Sequence, residues 1–342
     1  MRVGILGATG YTGHELVRIL ANHQEAEVLF ISAGSTVGQE YEKIYPHTAS
    51  LNMGTLKDQE NIPDLDVLFC ALPHGITSGL CAQLLERGVR IIDLGADFRL
   101  QSIEEYEHWY KVKHHAPQLI REAVYGLPEL YREEIKDKLL VANPGCYPTA
   151  TLLPLVPLLN EHLIASTHLI IDAKSGVSGA GRGATLANNF AEINENFKPY
   201  GVAAHRHLPE IEQQLAKAAA CPVNINFTPH LVPMNRGMLA TIYADLLPGS
   251  DQEKLRQCWE DYYAGEEFVQ LLPAGVWPQT KFASGSNLAF LQFTVDEHTG
   301  RVIIVSAIDN LLKGAAGQAI QNMNLIMGLP EGMGLQGTAL WP

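Results

Sequence analysis

The chain opens on a short apolar run, Met1-Arg2-Val3-Gly4-Ile5-Leu6, that passes at once into Gly7-Ala8-Thr9-Gly10-Tyr11-Thr12-Gly13. Few features restrict a fold more. Glycines spaced GxxGxxG, between a strand and the start of a helix, allow a tight turn and a close approach of backbone to a pyrophosphate. The first N–H groups of the helix then face the anion. Placed at residue 7, this pattern predicts the first βα unit of a dinucleotide-binding sheet, with Gly7, Thr9, Gly10, Tyr11, Thr12 and Gly13 touching the cofactor. The bland alternative is an ordinary turn.

The rhythm downstream agrees. Val28–Ala33, Val67–Leu72, Arg90–Leu94 and Leu139–Ala142 are short, apolar and mostly unalternating, as buried parallel strands are. Gly13–Asn22 and Thr77–Gly88 between them have helical spacing. From about residue 146 the runs lengthen and alternate more: His168–Lys174, Val223–Pro233, Met238–Leu247, Ala289–Asp296 and Val302–Asp309. Asp296–Gly300 reads as a hairpin turn between the last two. The expected fold class is therefore α/β, a Rossmann dinucleotide-binding domain plus an α+β domain with a mixed sheet. A length of 342 residues suits two cores, with their shared cleft the default place for a ligand. Leu311–Met327 has helical spacing and is expected to return to the first domain. The expected division is 1–145 with 311–342, and 146–310.

The second strand ends Ser32-Ala33-Gly34-Ser35-Thr36. NAD enzymes commonly carry an acidic residue there for the ribose 2′-hydroxyl. Its absence, and hydroxyls on Ser32, Ser35 and Thr36, favour NADP(H); Lys43 is the nearest cation in sequence.

The formal net charge is −13. A field of that sign disfavours nucleic acid and anionic membrane as partners, while leaving room for a locally basic anion site. No apolar run reaches the roughly 18–20 residues of a spanning helix, and no secretion signal is read at the N-terminus. Five cysteines, without a CxxC pair or zinc spacing, imply a reduced cytoplasmic chain and no metal site.

Cys146 stands apart from the other four. In Asn143-Pro144-Gly145-Cys146-Tyr147-Pro148-Thr149 it follows a strand and starts a helix, where the helix dipole favours thiolate. Cys70, Cys81, Cys221 and Cys258 read as structural. A thiolate nucleophile needs a base, and His205-Arg206-His207-Leu208-Pro209-Glu210 places two histidines and an arginine ahead of a helix. Ala173–Arg182, a strand end running into a Gly/Ser loop with Lys174 and Arg182, is the best candidate anion loop.

Together these segments, with Leu72–Gly75, Asp93–Arg99, Tyr125–Glu129 and Asp309–Ala319, resemble the short-chain N-acetyl-γ-glutamyl-phosphate reductases over nearly the whole length. The Asn-Pro-Gly-Cys-Tyr-Pro-Thr and His-Arg-His-x-Pro-Glu-Ile segments carry most of the likeness. The resemblance implies NADPH-dependent reduction of an acyl phosphate through a thioester on Cys146, in arginine biosynthesis. It implies His207 as acid–base with His205 nearby, a homodimer or homotetramer, and an α+β domain that serves as the substrate and dimerisation domain. Pro73 and Asn310 are expected at the cofactor, and Asn143, Ser175, Gly176, Arg182, His205 and Arg206 at the substrate. Reductases of aspartyl or aminoadipyl phosphates, and an NADP-sensing regulator on the same fold, are the competing readings.

Overall fold

A computed structural model describes residues 1–341, and the chain divides into two compact units. The first comprises Met1–Pro144 and Ala315–Gln336. Its strands are β1 (Arg2–Leu6), β2 (Glu27–Ser32), β3 (Val67–Cys70), β4 (Arg90–Asp93), β5 (Val124–Tyr125) and β6 (Leu140–Ala142). They lie in the order β2-β1-β3-β4-β6-β5, every pairing parallel. Both faces of such a sheet are covered, which is why its strands read as unbroken apolar runs. Leu6, Phe30, Leu68, Cys70, Cys81, Leu84 and Ile91 form one buried cluster against it. The helices are α1 (Tyr11–Leu20), α2 (Tyr41–Ile44), α3 (Thr77–Glu86), α4 (Ile103–Tyr110) and α5 (Pro128–Ile135). Strand order reverses between β1 and β3, and the glycine turn leaves β1 at that switch point. There the carboxyl ends of the strands open a crevice for ligands.

The second unit runs from Gly145 to Gly314, with the chain from Gly337 onward added to it. Its strands are β7 (Leu169–Gly176), β8 (Lys198–Pro199), β9 (Ile225–Val232), β10 (Met238–Asp245), β11 (Val269–Leu271), β12 (Ala289–Asp296) and β13 (Arg301–Ile308). The order is β11-β12-β13-β10-β7-β9-β8. β7 with β9 and β11 with β12 are parallel and the other pairs antiparallel, so the sheet is mixed. The β12–β13 turn is closed by Gly300 N–H donating to the Asp296 carbonyl at 2.8 Å, with Gly300 at φ 70°. The helices are α6 (Cys146–Asn160), α7 (Phe190–Ile193), α8 (Leu208–Ala219), α9 (Gln252–Tyr262) and α10 (Thr280–Ala283).

Helix α6 is buried from Tyr147 to Leu159 and packs on β10, β13, α8 and α9. Pro157 lacks the N–H that would bond the Leu153 carbonyl. The Tyr263 hydroxyl donates to that carbonyl instead, and the Trp259 indole donates to the Pro154 carbonyl at 3.1 Å. The Leu153 acceptor is therefore not stranded.

The chain re-enters the first unit with α11 (Ala316–Ile326), which packs against α1 and α5. Its buried amides are paired: Asn322 donates to the Gly126 carbonyl at 2.8 Å, and Gln321 to Glu129 at 3.0 Å. Each such bond is worth about 1 kcal/mol and would cost more if left unmade.

Three sequence expectations shift. The returning helix starts at Ala316 rather than Leu311: the Asp309 carboxylate caps the N–H groups of Leu311 and Leu312, but the chain makes only turns before Ala315 leaves the helical region at φ −159° and ψ −91°. Residues 311–314, and the chain from Gly337, lie in the second unit rather than the first. β5, β8 and β11, two or three residues long, carry no periodicity and were not anticipated.

Candidate active site

In the first unit the Gly7–Gly13 turn is folded as a cradle. Gly7 and Ala8 N–H both donate to the Ser32 carbonyl at 2.9 Å, which ties the turn to the end of β2. Gly7 has φ 78°, and a Cβ there would lie 2.1 Å from the Ala71 carbonyl oxygen. A Cβ on Gly13 would meet the Gly7 carbonyl oxygen at the same distance. Gly10 is different: a Cβ would approach nothing closer than 3.5 Å. The protein leaves that space open, which fits a pyrophosphate resting on the backbone there. Gly10 is the N-cap of α1 and offers no side-chain cap, so the N–H groups of the first turn point outward. Tyr45 fixes the loop from behind, its hydroxyl donating to the Thr9 carbonyl at 3.0 Å while its ring stacks on His14. At the end of β2, the Ser32 and Thr36 hydroxyls are buried and lack a hydrogen-bond partner. A buried hydroxyl left so costs roughly 1–3 kcal/mol, a debt a bound phosphate can settle. These residues fit NADP(H). Pro73 is exposed, in the loop that follows β3. Asp97 anchors that loop by accepting from Gly75 N–H at 2.7 Å and Ser78 N–H at 2.9 Å.

In the second unit Cys146 is the first residue of α6 and half-buried. Gly145 is the N-cap, extended at φ −70° and ψ 158°. Its N–H donates to the carboxylate of Glu210 at 2.9 Å, and Glu210 is wholly buried. Glu210 lies three residues beyond His207, the N-cap of α8. One hydrogen bond therefore joins the nucleophile's turn to the histidine's helix. Tyr147 ties them a second time, its ring lying 5.3 Å from that of His205 and 6.0 Å from that of His207. Tyr200 donates to the Tyr147 hydroxyl at 3.0 Å, and burial holds both phenols well above their usual range.

The two histidines differ. His205 is pushed down to about 4 by burial, and then by the Arg206 charge beside it. It stays neutral at physiological pH, and its Nδ1 accepts from the His207 N–H at 3.1 Å. His205 therefore orients the backbone of His207. His207 is half-buried at the head of α8.

The turn after β13 closes the other side of the thiol. Gly314 packs so closely that a Cβ on it would lie 2.7 Å from the Cβ of Cys146. Asn310, in the same turn, accepts from Gly237 N–H at 2.8 Å and donates to the Ser178 hydroxyl at 2.9 Å. Asp309 is fully buried, accepts from Gly285 N–H and faces Arg236 at 3.4 Å. Gly176 is required where it stands, a Cβ there falling 2.8 Å from the Asn235 carbonyl oxygen. Ser175 is buried in the same strand end.

The structure thus brings Cys146, His205, His207 and the Asn310–Gly314 turn together, with Asn310 linked to the loop that follows Ser175 and Gly176. It places other expected residues differently. Lys174 is paired with Asp172 at 2.9 Å. Arg182 and Arg206 are exposed. Asn143 lies in the first unit, where its amide is used at both ends, accepting from Asn322 at 3.0 Å and donating to the Ala315 carbonyl at 3.1 Å. Cys70 and Cys81 are buried, and burial raises both thiols; Cys258 is pushed up to about 11 for the same reason. Glu210, Arg236, Asp309 and Gly314 were not singled out from sequence. Glu210 had a signal, its place in the histidine segment. Gly314 is brought to Cys146, and Arg236 to Asp309, only by the fold. Among the described residues there is no cluster of metal-ligating side chains, and no helix is long and apolar enough to cross a membrane.

Comparison with known proteins adds the following. Residues 2–138 match the family model of the semialdehyde dehydrogenase NAD binding domain, and residues 146–310 that of the semialdehyde dehydrogenase dimerisation domain. A protein of Pelotomaculum thermopropionicum is 52% identical over 346 residues, covering 100% of this chain and 99% of its own. One of Symbiobacterium thermophilum is 54% identical, covering 98% and 97%, and one of Campylobacter jejuni is 50% identical, covering 98% of each. All three are named N-acetyl-gamma-glutamyl-phosphate reductase. Among solved structures, aspartate semialdehyde dehydrogenase II of Vibrio cholerae superposes with a TM-score of 0.73 at 18% identity, covering 96% and 98%. Aspartate semialdehyde dehydrogenase with NADP from Candida albicans gives 0.70 at 17%, covering 95% and 98%. At those identities the likeness is one of fold, and it bears out the α/β class with a Rossmann domain.

Proposed function

This chain belongs to the N-acetyl-γ-glutamyl-phosphate reductase family, and we propose that Cys146 is the nucleophile with which it works. The enzyme reduces N-acetyl-γ-glutamyl phosphate to N-acetylglutamate 5-semialdehyde and phosphate, a step of arginine biosynthesis, and uses NADPH. The observation that carries the assignment of Cys146 is its place at the first residue of α6, joined through Gly145 and Glu210 to the helix that His207 begins.

The residues then divide the work as follows. His207 accepts the thiol proton, and the thiolate attacks the γ-carbonyl carbon. The oxyanion is held by backbone N–H groups of the first turn of α6, those of Cys146 and Tyr147, since Pro148 has none to offer. The C–O bond to phosphate breaks, phosphate departs with its electron pair, and a thioester on Cys146 remains. NADPH, when bound, supplies the hydride that reduces the thioester carbonyl. His207 protonates the resulting oxyanion and then takes that proton back as the C–S bond breaks, releasing the aldehyde and the thiolate. A soft thiolate suits the task because its thioester resists water yet accepts hydride. Ser175 and Gly176 line the substrate, and the exposed Arg182 and Arg206 attract its phosphate and carboxylate.

The match to a dimerisation domain over residues 146–310 supports an oligomer. We assign a homodimer or homotetramer built on the seven-stranded sheet. β7 and β10 alternate buried and half-buried residues, leaving Ile170, Leu239 and Tyr243 on a partly open face. All five cysteines are free thiols, and we place the enzyme in the cytoplasm.

The reaction is tested in reverse. Purified protein is given N-acetylglutamate 5-semialdehyde, phosphate and NADP, and NADPH absorbance is followed, with aspartate and N-acetylaminoadipate semialdehydes in parallel. Phosphate-dependent NADPH formation with the glutamyl compound supports the reading. Activity confined to another semialdehyde would reject the substrate, and activity retained by Cys146→Ser would reject the thioester.

A further inference from the structure

The cofactor of this enzyme carries a 2′-phosphate, and the sequence around the end of β2 offers hydroxyls for it but no adjacent cation. Lys43, the nearest basic residue in sequence, sits exposed in α2. The fold supplies another. Residues 55–57 return beside β2 and form an isolated parallel bridge in which Lys57 pairs with Ser32. The Lys57 N–H donates to the Ile31 carbonyl at 2.9 Å, which fixes this register. The neighbouring Leu56 accepts from Gly38 N–H and donates to the Gln39 carbonyl, both at 2.9 Å. The strand therefore also clamps the loop carrying Ser35 and Thr36. Lys57 thus stands level with the last residue of β2, at the carboxyl edge where the adenosine ribose of a dinucleotide is bound in such sheets. Paired residues in neighbouring strands project from the same face, so Lys57 and Ser32 share a side.

The surrounding charges leave Lys57 available. Asp58 is turned onto the N–H groups of Glu60 and Asn61 at 2.9 and 3.3 Å. Glu42 accepts from Met53 and Gly54 N–H, and Glu40 from the Thr55 hydroxyl at 2.8 Å. Three carboxylates close in sequence or space are each spent on another donor. Among the described residues the exposed Lys57 ammonium has no ion-pair partner. Its backbone is bridged to that of Ser32, whose hydroxyl, like that of Thr36 in the loop clamped by Leu56, is buried without a hydrogen-bond partner.

We infer that Lys57 is the cation that holds the 2′-phosphate, together with the Ser32 and Thr36 hydroxyls, and so sets the preference for NADPH over NADH. The inference rests on NADPH as the cofactor, and the test separates the two. Calorimetry measures binding of adenosine 2′,5′-bisphosphate and adenosine 5′-monophosphate to the parent and to Lys57→Ala, Lys57→Glu and Lys57→Arg, with thermal melting as a check on folding. The parent is expected to bind the bisphosphate more tightly. Lys57→Ala should weaken the bisphosphate about tenfold or more, the size of one charge-assisted hydrogen bond. Lys57→Glu should weaken it further and Lys57→Arg should keep most of it, while the monophosphate is unchanged throughout. The ratio of kcat/KM for NADPH to that for NADH should fall by the same factor. A parent without preference for the bisphosphate would remove the cofactor premise. A parent with that preference, unchanged in Lys57→Ala and Lys57→Glu, would overturn the role of Lys57. So would an equal loss of both nucleotides.

Discussion

Replacing Gly314 by alanine adds one methyl group at the place where the fold brings the turn after β13 closest to the thiol. The new Cβ would sit 2.7 Å from the Cβ of Cys146, 2.6 Å from the Asn310 carbonyl oxygen and 2.9 Å from the Asn310 Cα. Carbon atoms in contact prefer about 3.5–4.0 Å, so the neighbours must retreat by roughly 1 Å. Two of the three clashing atoms are backbone, so no flexible side chain can absorb the shift. It must appear as movement of Cys146, of the 310–314 turn, or of both. Overpacking of this kind costs about 1–3 kcal/mol of stability, which a protein of this size should survive folded. A misplacement of about 1 Å at a reacting group costs on the order of a hundredfold in rate, or about 2.7 kcal/mol of barrier. The expected result is a folded Gly314→Ala enzyme with kcat lowered about a hundredfold and a changed rate of Cys146 alkylation by iodoacetamide. Gly79→Ala serves as control: Gly79 lies in α3 with nothing within 4 Å of the built Cβ. There alanine should raise stability by about 0.5–1 kcal/mol and leave kcat alone. A Gly314→Ala enzyme with parental kcat and alkylation rate would refute the argument that this contact positions the thiol.

Other expectations follow from the same geometry. Cys146→Ser should fold and bind NADPH but lose at least about three decades of turnover, about 4 kcal/mol; steady-state rates and nucleotide fluorescence titration check both halves. His207→Asn should slow single-turnover thioester formation while leaving nucleotide affinity intact; unchanged burst kinetics would move the base elsewhere. His205 is held down at about 4 against an ordinary 6.5, so the unfolded chain binds this proton more readily than the folded one. Its share of stability, up to about 3 kcal/mol, is present above pH 6.5 and lost as the pH falls toward 4. Denaturant midpoints of the parent should decline across that window, and those of His205→Gln should decline less.

The parts of the molecule legible in the sequence are those whose signal is local. The glycine turn, the parallel strands and the Asn143–Thr149 elbow are each written within ten residues, because tight turns and buried strands restrict composition wherever they occur. The hydroxyls at the end of β2 could be read in the same way. What escaped was long-range pairing. Lys57 reaches Ser32 through a bridge across 25 residues, and Gly314 meets Cys146 across 168. Asn143 shows the same limit. A polar residue beside a nucleophile reads as a substrate contact, and its spacing gives no sign of the two partners, Ala315 and Asn322, that its amide meets from the far end of the chain. The start of α11 was misplaced for a related reason. Leu311–Ala315 keeps helical spacing, but Ala315, at φ −159° and ψ −91°, breaks the backbone there, a conformation that side-chain spacing does not report.

One device recurs where the chain meets anions. Helices α4 and α9 begin with side-chain caps, Ser102 accepting from Glu105 N–H and Asp251 from Lys254 N–H. Helices α1 and α6 begin instead on Gly10 and Gly145, with nearly equal dihedrals of −75° and 165°, and −70° and 158°, and without a side-chain cap. A capping oxygen would occupy the outward N–H groups and place negative charge against an incoming phosphate or oxyanion. Glycine does neither. In a chain of net charge −13, leaving these two helix ends without a side-chain cap keeps the N–H groups of their first turns open to pyrophosphate and to the acyl-phosphate oxyanion, while at α6 the buried Glu210 carboxylate takes only the N–H of Gly145 itself. Gly10→Ser or Gly145→Ser, which restores the capping hydroxyl, should therefore weaken nucleotide binding in the first case and thioester formation in the second. A variant pair that loses both functions together would show that the effect lies in folding rather than in the local anion sites.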